Sequence, residues 1–411
     1  MEPSILNRPT YSVEVSFTDP KLTPVWQDIT SRVRKTSITR GRESEMSRIE
    51  AGTAQVTLDN QDRRFDPTYT AGPYYGVLLP MRPLRIRATW EGITYDVFRG
   101  FIEDWGQEWP VNRDVVVKVR AVDGFAVLAG TKVTADYPEQ RVDERIGMVL
   151  DDASWTTGDV AILNIATLDA GFRLGPGGDR SLDRSVSRIQ SVSLEGRYAL
   201  EHLQEAQEVE NGMVFISKDG AVAFHNRLRH YASQAPTVVF GDGAELPFVD
   251  LKFAYDIKDV WNEIIISMEG GQDHIAVDAT SQGHYFTRTL ERKNLLIARN
   301  SEWEAQARAE WFLWRYKDAR LKIREVTIEP QSYSNPQFWH QVLARELGDC
   351  IRVIKRPTGT ISPIDQVGFI EGIEIDIDPA RWRYTFRCSV GSLMNYAQLD
   401  ISSLDAGALA Y

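Results

Sequence analysis

One stretch of the sequence alternates carboxylates with tryptophans, a residue pattern that can serve sugar chemistry. Glu103, Asp104 and Glu108 are interleaved with Trp105 and Trp109. Hydrolysis of a glycosidic bond needs an acid and a second carboxylate, and an indole offers a flat apolar face for contact. Carboxylates are common in this chain, which has 58 of them. Ordinary packing of a strand is therefore the favoured interpretation, with glycoside hydrolysis and noncatalytic sugar contact as the alternatives.

The other familiar catalytic motifs are missing from the sequence. The six histidines form neither an HExxH pattern nor an i, i+4 pair, and His225 and His230 are predicted to be polar surface residues. There is no GxSxG elbow. The GPGG loop at residues 175–178 lacks the Lys-Ser/Thr of a phosphate loop. We therefore expect no catalytic residue, no metal ligand and no cofactor, and hence no enzyme.

The composition excludes several classes of protein. Hydrophobic residues are 43% and charged residues 26%, which is ordinary globular usage and excludes disorder for the bulk of the chain. No apolar run approaches the roughly 18 residues of a membrane span, and the N-terminus lacks the pattern of a signal peptide. Cys350 and Cys388 are predicted to be buried thiols rather than a disulfide.

A basic stretch stands out in this acidic chain, whose formal net charge of −11 disfavours a protein that grips nucleic-acid phosphates. A local basic surface in such a protein can dock a subunit of opposite charge. A solvated loop is the alternative, and nucleic-acid contact is a remote third. The candidate docking residues are Arg32, Arg34, Lys35, Arg40, Arg42 and Arg48.

The elements that must position these residues are mainly strands. Residues 11–17, 54–58, 84–90 and 115–122 alternate apolar and polar side chains or are rich in β-branched residues. Prolines keep the segment between the second and third of these strands extended and irregular. Short strands separated by Gly, Pro, Asn and Asp predict a barrel or a sandwich. Five strands are predicted again in the last third of the chain, at residues 260–268, 321–328, 350–354, 367–377 and 383–390.

The middle of the chain has helical spacing. A short helix is predicted at residues 142–150, then a loop over 156–195. A longer helix is predicted at residues 197–210, ended by Asn211-Gly212, and a hairpin follows over residues 213–224. In the last third a helix is predicted at residues 301–316, with Ser301 as its N-cap and Glu304 three residues later.

Two stretches of the sequence resemble each other. In each, a strand leads to the tetrapeptide GFIE, then to a tryptophan, a further strand and a glycine. The tetrapeptides run from Gly100 to Glu103 and from Gly368 to Glu371. The matched order favours two related β-domains, in which Gly100 and Gly368 lie where a strand bends or another backbone comes close. Two independent sheets built from similar strands remain the alternative.

Together these observations predict a mainly β fold with an α/β insert. Two barrel-like domains, residues 1–132 and 249–395, are expected to flank a mixed helix-and-hairpin domain at residues 133–248. A short tail follows at residues 396–411. The last twenty or so residues are rich in Ala, Ser, Leu and Asp, so no further folded domain is expected there.

Many short segments of the chain also carry a family resemblance. They are residues 26–30 (WQDIT), 33–42 (VRKTSITRGR), 51–60 (AGTAQVTLDN), 64–67 (RFDP), 73–76 (PYYG), 79–87 (LPMRPLRIR), 98–103 (FRGFIE), 199–203 (ALEHL), 212–215 (GMVF), 219–220 (DG) and 347–349 (LGD). Together they resemble the minor tail proteins of tailed phages, in the baseplate hub or tail-tip hub family. The similarity covers most of the chain, and its motifs are structural rather than catalytic.

The resemblance implies an assembly rather than a reaction. It implies a virion protein of the tail tip, with two related tube domains per chain and a homotrimer whose six barrels stack on a hexameric tube. The implied partners are distal tail or tail-tube ring proteins, the tape-measure protein, and downstream tip or fibre proteins. No lysozyme, peptidase or fibre domain is appended, so a bare hub is expected. The alternatives are a distal tail ring protein and a carbohydrate-binding, receptor-binding tail protein.

Charge adds an expectation about the channel of such a ring. A trimer would carry a formal charge of about −33, three times −11. DNA leaving a tail must slide without sticking, so contact with it should be transient. An acidic inner wall achieves this because like charges repel. We therefore expect acidic residues to dominate the inner wall and the basic stretch to face a neighbouring subunit or ring.

Overall fold

The computed structural model describes residues 8–109, 115–155, 180–229, 235–359 and 362–391. Within these ranges the chain is mainly β with helices inserted, which confirms the predicted fold class. Some expectations fall outside the described residues: the GPGG loop at 175–178, the predicted loop from residue 156 up to 179, His230, and the tail at residues 396–411.

The first unit is a set of antiparallel strands around an apolar core. Alternate residues of its fourth strand, Ala54, Val56 and Leu58, are buried, as the period of two requires. The proline-rich loop before the fifth strand closes the core with Phe65 and Leu78. The strands are β1 (Thr10–Ser16), β2 (Trp26–Asp28), β3 (Val33–Gly41), β4 (Glu50–Asp59), β5 (Pro83–Trp90), β6 (Ile93–Glu108) and β7 (Val116–Val122), with a 3₁₀ turn at Thr30–Arg32.

The middle unit packs helices against short strands. Its elements are α1 (Phe125–Gly130), β8 (Lys132–Tyr137), β9 (Gln140–Arg141), α2 (Val142–Asp152), β10 (Arg180–Leu182), β11 (Arg188–Ile189), β12 (Val192–Tyr198), α3 (Ala199–Glu210), β13 (Met213–Ile216) and β14 (Val222–His225). Helix α3 begins two residues later than predicted because Arg197 and Tyr198 pair with β8. It ends where Asn211 takes the left-handed conformation, with φ of 55°. Strands β13 and β14 form the predicted hairpin.

The last unit returns to strands. Its elements are β15 (Val238–Gly241), β16 (Asp250–Ala254), β17 (Glu263–Met268), β18 (Asp273–Val277), α4 (Ala279–Tyr285), β19 (Thr289–Leu295), α5 (Glu302–Tyr316), β20 (Lys322–Ile328), α6 (Pro336–Leu343), β21 (Cys350–Lys355), β22 (Ile364–Ile377) and β23 (Trp382–Val390), with 3₁₀ turns at Arg299–Ser301 and Pro330–Ser332. In the part of the chain that the structure describes, no helix is both long and apolar enough to cross a membrane.

Helix α5 lies where a helix was predicted, but its start differs from the prediction. Ser301 precedes the helix, and its side chain makes no capping hydrogen bond. Glu304 is buried and accepts a hydrogen bond from the Ser187 hydroxyl at 2.8 Å, instead of turning back to the helix start. The tertiary contact with the middle unit therefore replaces the local capping box.

One sheet runs through the first and last units. Its path is β16-β20-β23-β22-β3-β4-β7-β6-β5-β1-β2, with β21 also pairing with β22 and β15 with β21. Strands β3 and β22 are antiparallel, with Gly41 opposite Gly372 and Thr36 opposite Ile377. Strand β15 precedes the expected boundary at residue 248, yet it pairs with β21 of the last unit. The three-domain division stays a proposal, because the sheet continues across it.

The order of strands in this sheet occurs twice. The set β3-β4-β7-β6-β5 matches the set β16-β20-β23-β22-β21 neighbour for neighbour. In each set the long strand, β6 or β22, pairs with the preceding strand along its first half and with the following strand along its second half. Strand β3 therefore has the same place in the first set that β16 has in the second.

Candidate functional site

Four residues of the predicted docking stretch lie at the surface, and each contacts a carboxylate of the same chain. Exposed pairs of this kind contribute little to folding stability, because water and salt screen them. Their charges are largely compensated within the chain. A docking role for these four residues stays a prediction. The pairs are Arg32–Asp62, Arg34–Asp59, Lys35–Asp376 and Arg48–Glu208, with N–O distances of 3.1, 3.1, 3.6 and 3.2 Å.

Arg40 and Arg42 are instead inside the protein, which differs from the expectation for the stretch as a whole. The Arg40 guanidinium lies 2.7 Å from the Glu346 carboxylate and donates to the Ile216 carbonyl at 2.8 Å. Arg42 donates through Nε to Glu371 at 2.7 Å. Arg40 is 4% exposed and Arg42 8% exposed. Charges buried in this way are tolerated because they are paired, and they leave no surface for docking.

The two GFIE segments take matching positions in the two strand sets. Gly100 lies opposite β5 and Gly368 lies opposite β21. In both long strands, the pairing with the next strand skips one residue, which is the glutamate of the motif, Glu103 or Glu371. A skipped residue is a β-bulge, and it bends the strand. The bend therefore falls at the same place in both sets.

The chain also takes the same backbone conformation just before β5 in the first set and just before β21 in the second. The Met81 N–H donates to the Ile102 carbonyl at 2.6 Å, and the Gly348 N–H donates to the Ile370 carbonyl at 2.7 Å. Met81 has φ of 63° and Gly348 has φ of 81°. A positive φ is uncommon for methionine. Sequence reasoning missed this correspondence because a methionine gives no sign of a left-handed backbone.

The two motif glycines are required by a close approach of the neighbouring strand. A Cβ atom on Gly100 would lie 2.2 Å from the Val122 carbonyl oxygen. A Cβ atom on Gly368 would lie 2.9 Å from the Ser389 carbonyl oxygen. Both distances are shorter than a non-bonded contact, so neither position has room for a side chain without movement of the backbone.

A second sequence match lies upstream of each GFIE segment. The run QVTL in β4 and the run EVTI in β20 take equivalent places, since Gln55 lies opposite Arg120 and Glu325 lies opposite Arg387. Sequence reasoning missed this pair. The two runs are 270 residues apart (325 − 55) and the GFIE segments 268 (368 − 100), so a search that allowed a shift of two residues would have found the pair.

The two sets meet where β3 covers the second half of β22. The Arg42 N–H donates to the Glu371 carbonyl at 2.8 Å, in addition to the side-chain contact. The Ser389 hydroxyl donates to the Glu371 carboxylate at 2.7 Å, so this carboxylate is completely buried and satisfied. At the exposed side of the same contact, the Ser37 hydroxyl donates to Asp376 at 2.6 Å. We call this contact the internal junction.

Two strand edges that correspond to the internal junction have no partner strand among the described residues. One is the edge of β6 at residues 104–108 that faces away from β7, here the open β6 edge. The other is the edge of β16 that faces away from β20, here the open β16 edge. Trp109, at the end of the open β6 edge, is 51% exposed, and Tyr255, after β16, is 69% exposed. An unpaired edge presents N–H and C=O groups to any further strand.

The carboxylates interleaved with tryptophans lie on this same strand. Glu103 pairs with Arg120 at 3.1 Å, and Glu108 pairs with Lys118 at 2.8 Å, both across to β7 and both exposed. Trp105 is buried in the core. The geometry is that of ordinary strand packing, which was the favoured interpretation. It brings no pair of carboxylates together around a pocket.

The histidines and cysteines form no site within the described ranges. His225, predicted to lie at the surface, is buried, and its ring packs edge-on against Phe215 with 4.9 Å between centroids. No group of three or more His, Cys, Asp or Glu residues in those ranges is placed to hold a metal ion. Cys350 and Cys388 are buried thiols without a disulfide, as predicted. Burial raises the pKa of Cys350 to about 11 and also raises the pKa of Cys388.

A buried carboxyl joins the first unit to the middle unit. Asp123 accepts hydrogen bonds from the Gly52 N–H at 2.6 Å and from the N–H of Phe125, the first residue of α1, at 2.9 Å. Burial raises the pKa of Asp123 to about 7, although both N–H groups and the charge of Arg40 act in the opposite direction. This carboxyl fixes the start of α1 against β4.

Two solved structures share this fold over nearly their whole length. The 43 kDa tail protein of prophage MuSo2 from Shewanella oneidensis superposes with a TM-score of 0.59 at 13% identity, over 93% of this chain and 97% of that one. The tail protein from Neisseria meningitidis MC58 superposes with a TM-score of 0.59 at 12% identity, over 92% and 96%. No family model and no curated protein matches the sequence. The chain therefore has the fold of phage tail proteins, as its motifs had suggested.

Proposed function

We propose that this chain is the structural hub of a phage tail or of a related injection particle. In this proposal three copies form a ring beneath the tail tube, connect it to the distal tip proteins and leave a passage for DNA. The location is the tail tip of the virion. The partners are the tube or distal tail ring, the tape-measure protein and the tip or fibre proteins.

The repeat of strand order within one chain carries this proposal. Two sets of five strands have the same neighbours, the same bulge and the same left-handed residue before β5 or β21. A chain with two equivalent units needs only three copies to present six units to a sixfold ring, and closed cyclic rings are the usual outcome of head-to-tail association. A distal tail ring protein with a single barrel would not need this repeat.

The proposed role is structural, without turnover. Glu103 and Glu108 are held in exposed ion pairs, and Trp105 is buried in the core. Trp109 is half exposed, but the Arg63 guanidinium lies over its ring at 5.7 Å. A sugar-binding site needs exposed aromatic faces beside unengaged polar groups. These contacts therefore favour the hub over the carbohydrate-binding alternative.

The test is the stoichiometry and position of the chain. Native mass measurement of the purified full-length protein, over increasing concentration, should detect a species of three times the 46.6 kDa chain. Electron microscopy of the native particle should place that ring directly below the tube. A chain that stays monomeric at all concentrations and lies in a side fibre of the particle would overturn the proposal. A six-copy ring would favour the distal tail alternative.

A further inference from the structure

The internal junction gives a template for contact between copies. Within one chain, β3 of the first set pairs with the second half of β22 in the second set. The equivalent strands are β16 and β6, and each has an open edge in the described chain. We propose that the open β6 edge of one copy pairs, antiparallel, with the open β16 edge of the next copy. This inference rests on the proposed ring and specifies the surfaces that join it.

The register of this contact follows from cross-strand pairs. In the first set Ser37 lies opposite Gln55, which lies opposite Arg120. In the second set Lys252 lies opposite Glu325, which lies opposite Arg387. The two series of paired residues cross equivalent strands in the same order. Lys252 is therefore the counterpart of Ser37.

The partner position is found in the same way on the long strands. Arg120 lies opposite Asp104, and Arg387 lies opposite Gly372. Four residues further along each strand are Glu108 and Asp376, which are therefore counterparts.

At the internal junction Asp376 lies opposite Ser37. The contact between copies should accordingly place Glu108 opposite Lys252. The next residue pair at the internal junction, Ile377 opposite Thr36, predicts Trp109 opposite Leu251.

The side chains at these positions suit each other. Glu108 and Lys252 have opposite charges, and directly opposite charges on antiparallel strands attract. The same polarity exists at the internal junction, where Asp376 lies 3.6 Å from Lys35. Trp109, half exposed in the single chain, would be covered by Leu251 and the exposed side chain of Val249. Burial of an indole stabilises such an interface more than most other side chains do.

Two other open edges of the described chain offer no comparable match. Strand β2 has three residues, and β18 belongs to the small sheet inserted in the second set only. Neither has a counterpart at the internal junction. A second copy of this chain is therefore the partner that the repeat specifies for the open β6 and open β16 edges.

Cysteine cross-linking tests the register directly. One full-length chain carries Glu108→Cys and a second carries Lys252→Cys, and the two are mixed and treated with a short bifunctional thiol reagent. Opposite Cβ atoms across antiparallel strands are about 5 Å apart, so we expect a cross-linked dimer. A chain with both substitutions should give a ladder that ends at three copies. The native chain, whose two thiols are buried, supplies the background.

The control for register is Asp250→Cys in place of Lys252→Cys. Asp250 lies on the same face of β16 but two residues away, about 7 Å from the predicted partner position, and should cross-link several times more slowly. Faster reaction at residue 250 would overturn the register. A three-copy ring in native mass measurement without any 108–252 cross-link would overturn the junction and leave the hub proposal intact. A monomer without cross-links at every concentration would overturn both.

Charge reversal provides an independent readout. Lys252→Glu or Glu108→Lys alone should weaken association by about tenfold or more, because like charges would face each other between copies. The combined variant restores opposite charges between copies, whereas within each chain residue 108 then faces Lys118, and residue 252 faces Glu325, with like charge. Recovery of association in the combined variant supports the contact, and an additive loss contradicts it.

Discussion

The two motif glutamates show how position decides what a residue does. Glu371 is completely buried and binds Arg42 and Ser389, whereas Glu103, its counterpart, is 41% exposed beside Arg120. The same residue type at the same bulge is therefore an interior anchor in one set and a surface ion pair in the other. The difference arises because β3 covers β22, while the corresponding edge of β6 is open.

We expect Glu371→Gln to destabilise the protein by about 3–5 kcal/mol, because the buried charge of Arg42 would lose its counter-charge. The matched control, Glu103→Gln, removes only an exposed pair and should change the free energy of unfolding by less than about 1 kcal/mol. Urea unfolding of the two variants beside the native chain measures both values. Equal losses in the two variants would contradict the distinction between them.

The buried carboxyl of Asp123 predicts a pH dependence. Its pKa is raised to about 7 in the folded state, while the unfolded value is near 4. Between these values the folded state holds a proton that the unfolded state has lost, so this contribution to stability is complete at acid pH and declines as the pH rises. From pH 5 to pH 8 the free energy of unfolding should fall by about 2–3 kcal/mol through this group. Asp123→Asn should remove that slope, and an unchanged slope in the variant would contradict the assignment.

At the scale of elements, the repeat depends on close contact between strands at the bulge. Gly100→Ala should cost about 1–3 kcal/mol, because the added carbon would meet the Val122 carbonyl. Gly130→Ala is the control, since a Cβ there meets no atom within 4 Å and its effect should be below about 1 kcal/mol. Chemical denaturation of both variants measures the change in the free energy of unfolding. No change in Gly100→Ala would mean that the neighbouring strand can move aside.

Elements with a strong local pattern could be predicted from the sequence. The strands at residues 54–58 and 115–122 alternate apolar and polar residues, and helix α3 has an apolar face and a clear end at Asn211. Short elements without such a pattern were missed. Strand β16, with the sequence DLKFA, and helix α6, only eight residues long, are defined by the neighbours they pack against.

The candidate site was predictable only in part, because several of its contacts join residues that are far apart in the sequence. The GFIE echo identified the two long strands from four residues each. Burial of Arg40 could not be predicted, because its partner Glu346 is about three hundred residues away in the sequence. The start of helix α5 also depends on a contact between residues far apart in the sequence, because Glu304 binds Ser187 of the middle unit.

At the scale of the whole molecule, the polar face of the repeated sheet carries charges of both signs. Adjacent strands carry opposite charges, so their side chains pair across the sheet, as Glu374 does with Arg387 at 3.3 Å. A channel lined by this face would carry acidic and basic side chains side by side, and the acidic inner wall stays a prediction. The acidic strands are β6 (Asp104, Glu108) and β22 (Glu374, Asp376), and the basic strands are β7 (Lys118, Arg120) and β23 (Arg383, Arg387).

The pairing of β3 with β22 also determines when the main sheet can form during synthesis. Strand β3 leaves the ribosome early, and its partner follows more than three hundred residues later. Contacts of such long separation form slowly, so the edge of β3 stays unpaired while most of the chain is made. Lys35 on that edge discourages pairing with the wrong strand, as charged residues on exposed edges do. The nascent protein completes its main sheet only when its last third emerges. A prematurely terminated chain would keep the unpaired edge of β3, which can pair with other chains and aggregate.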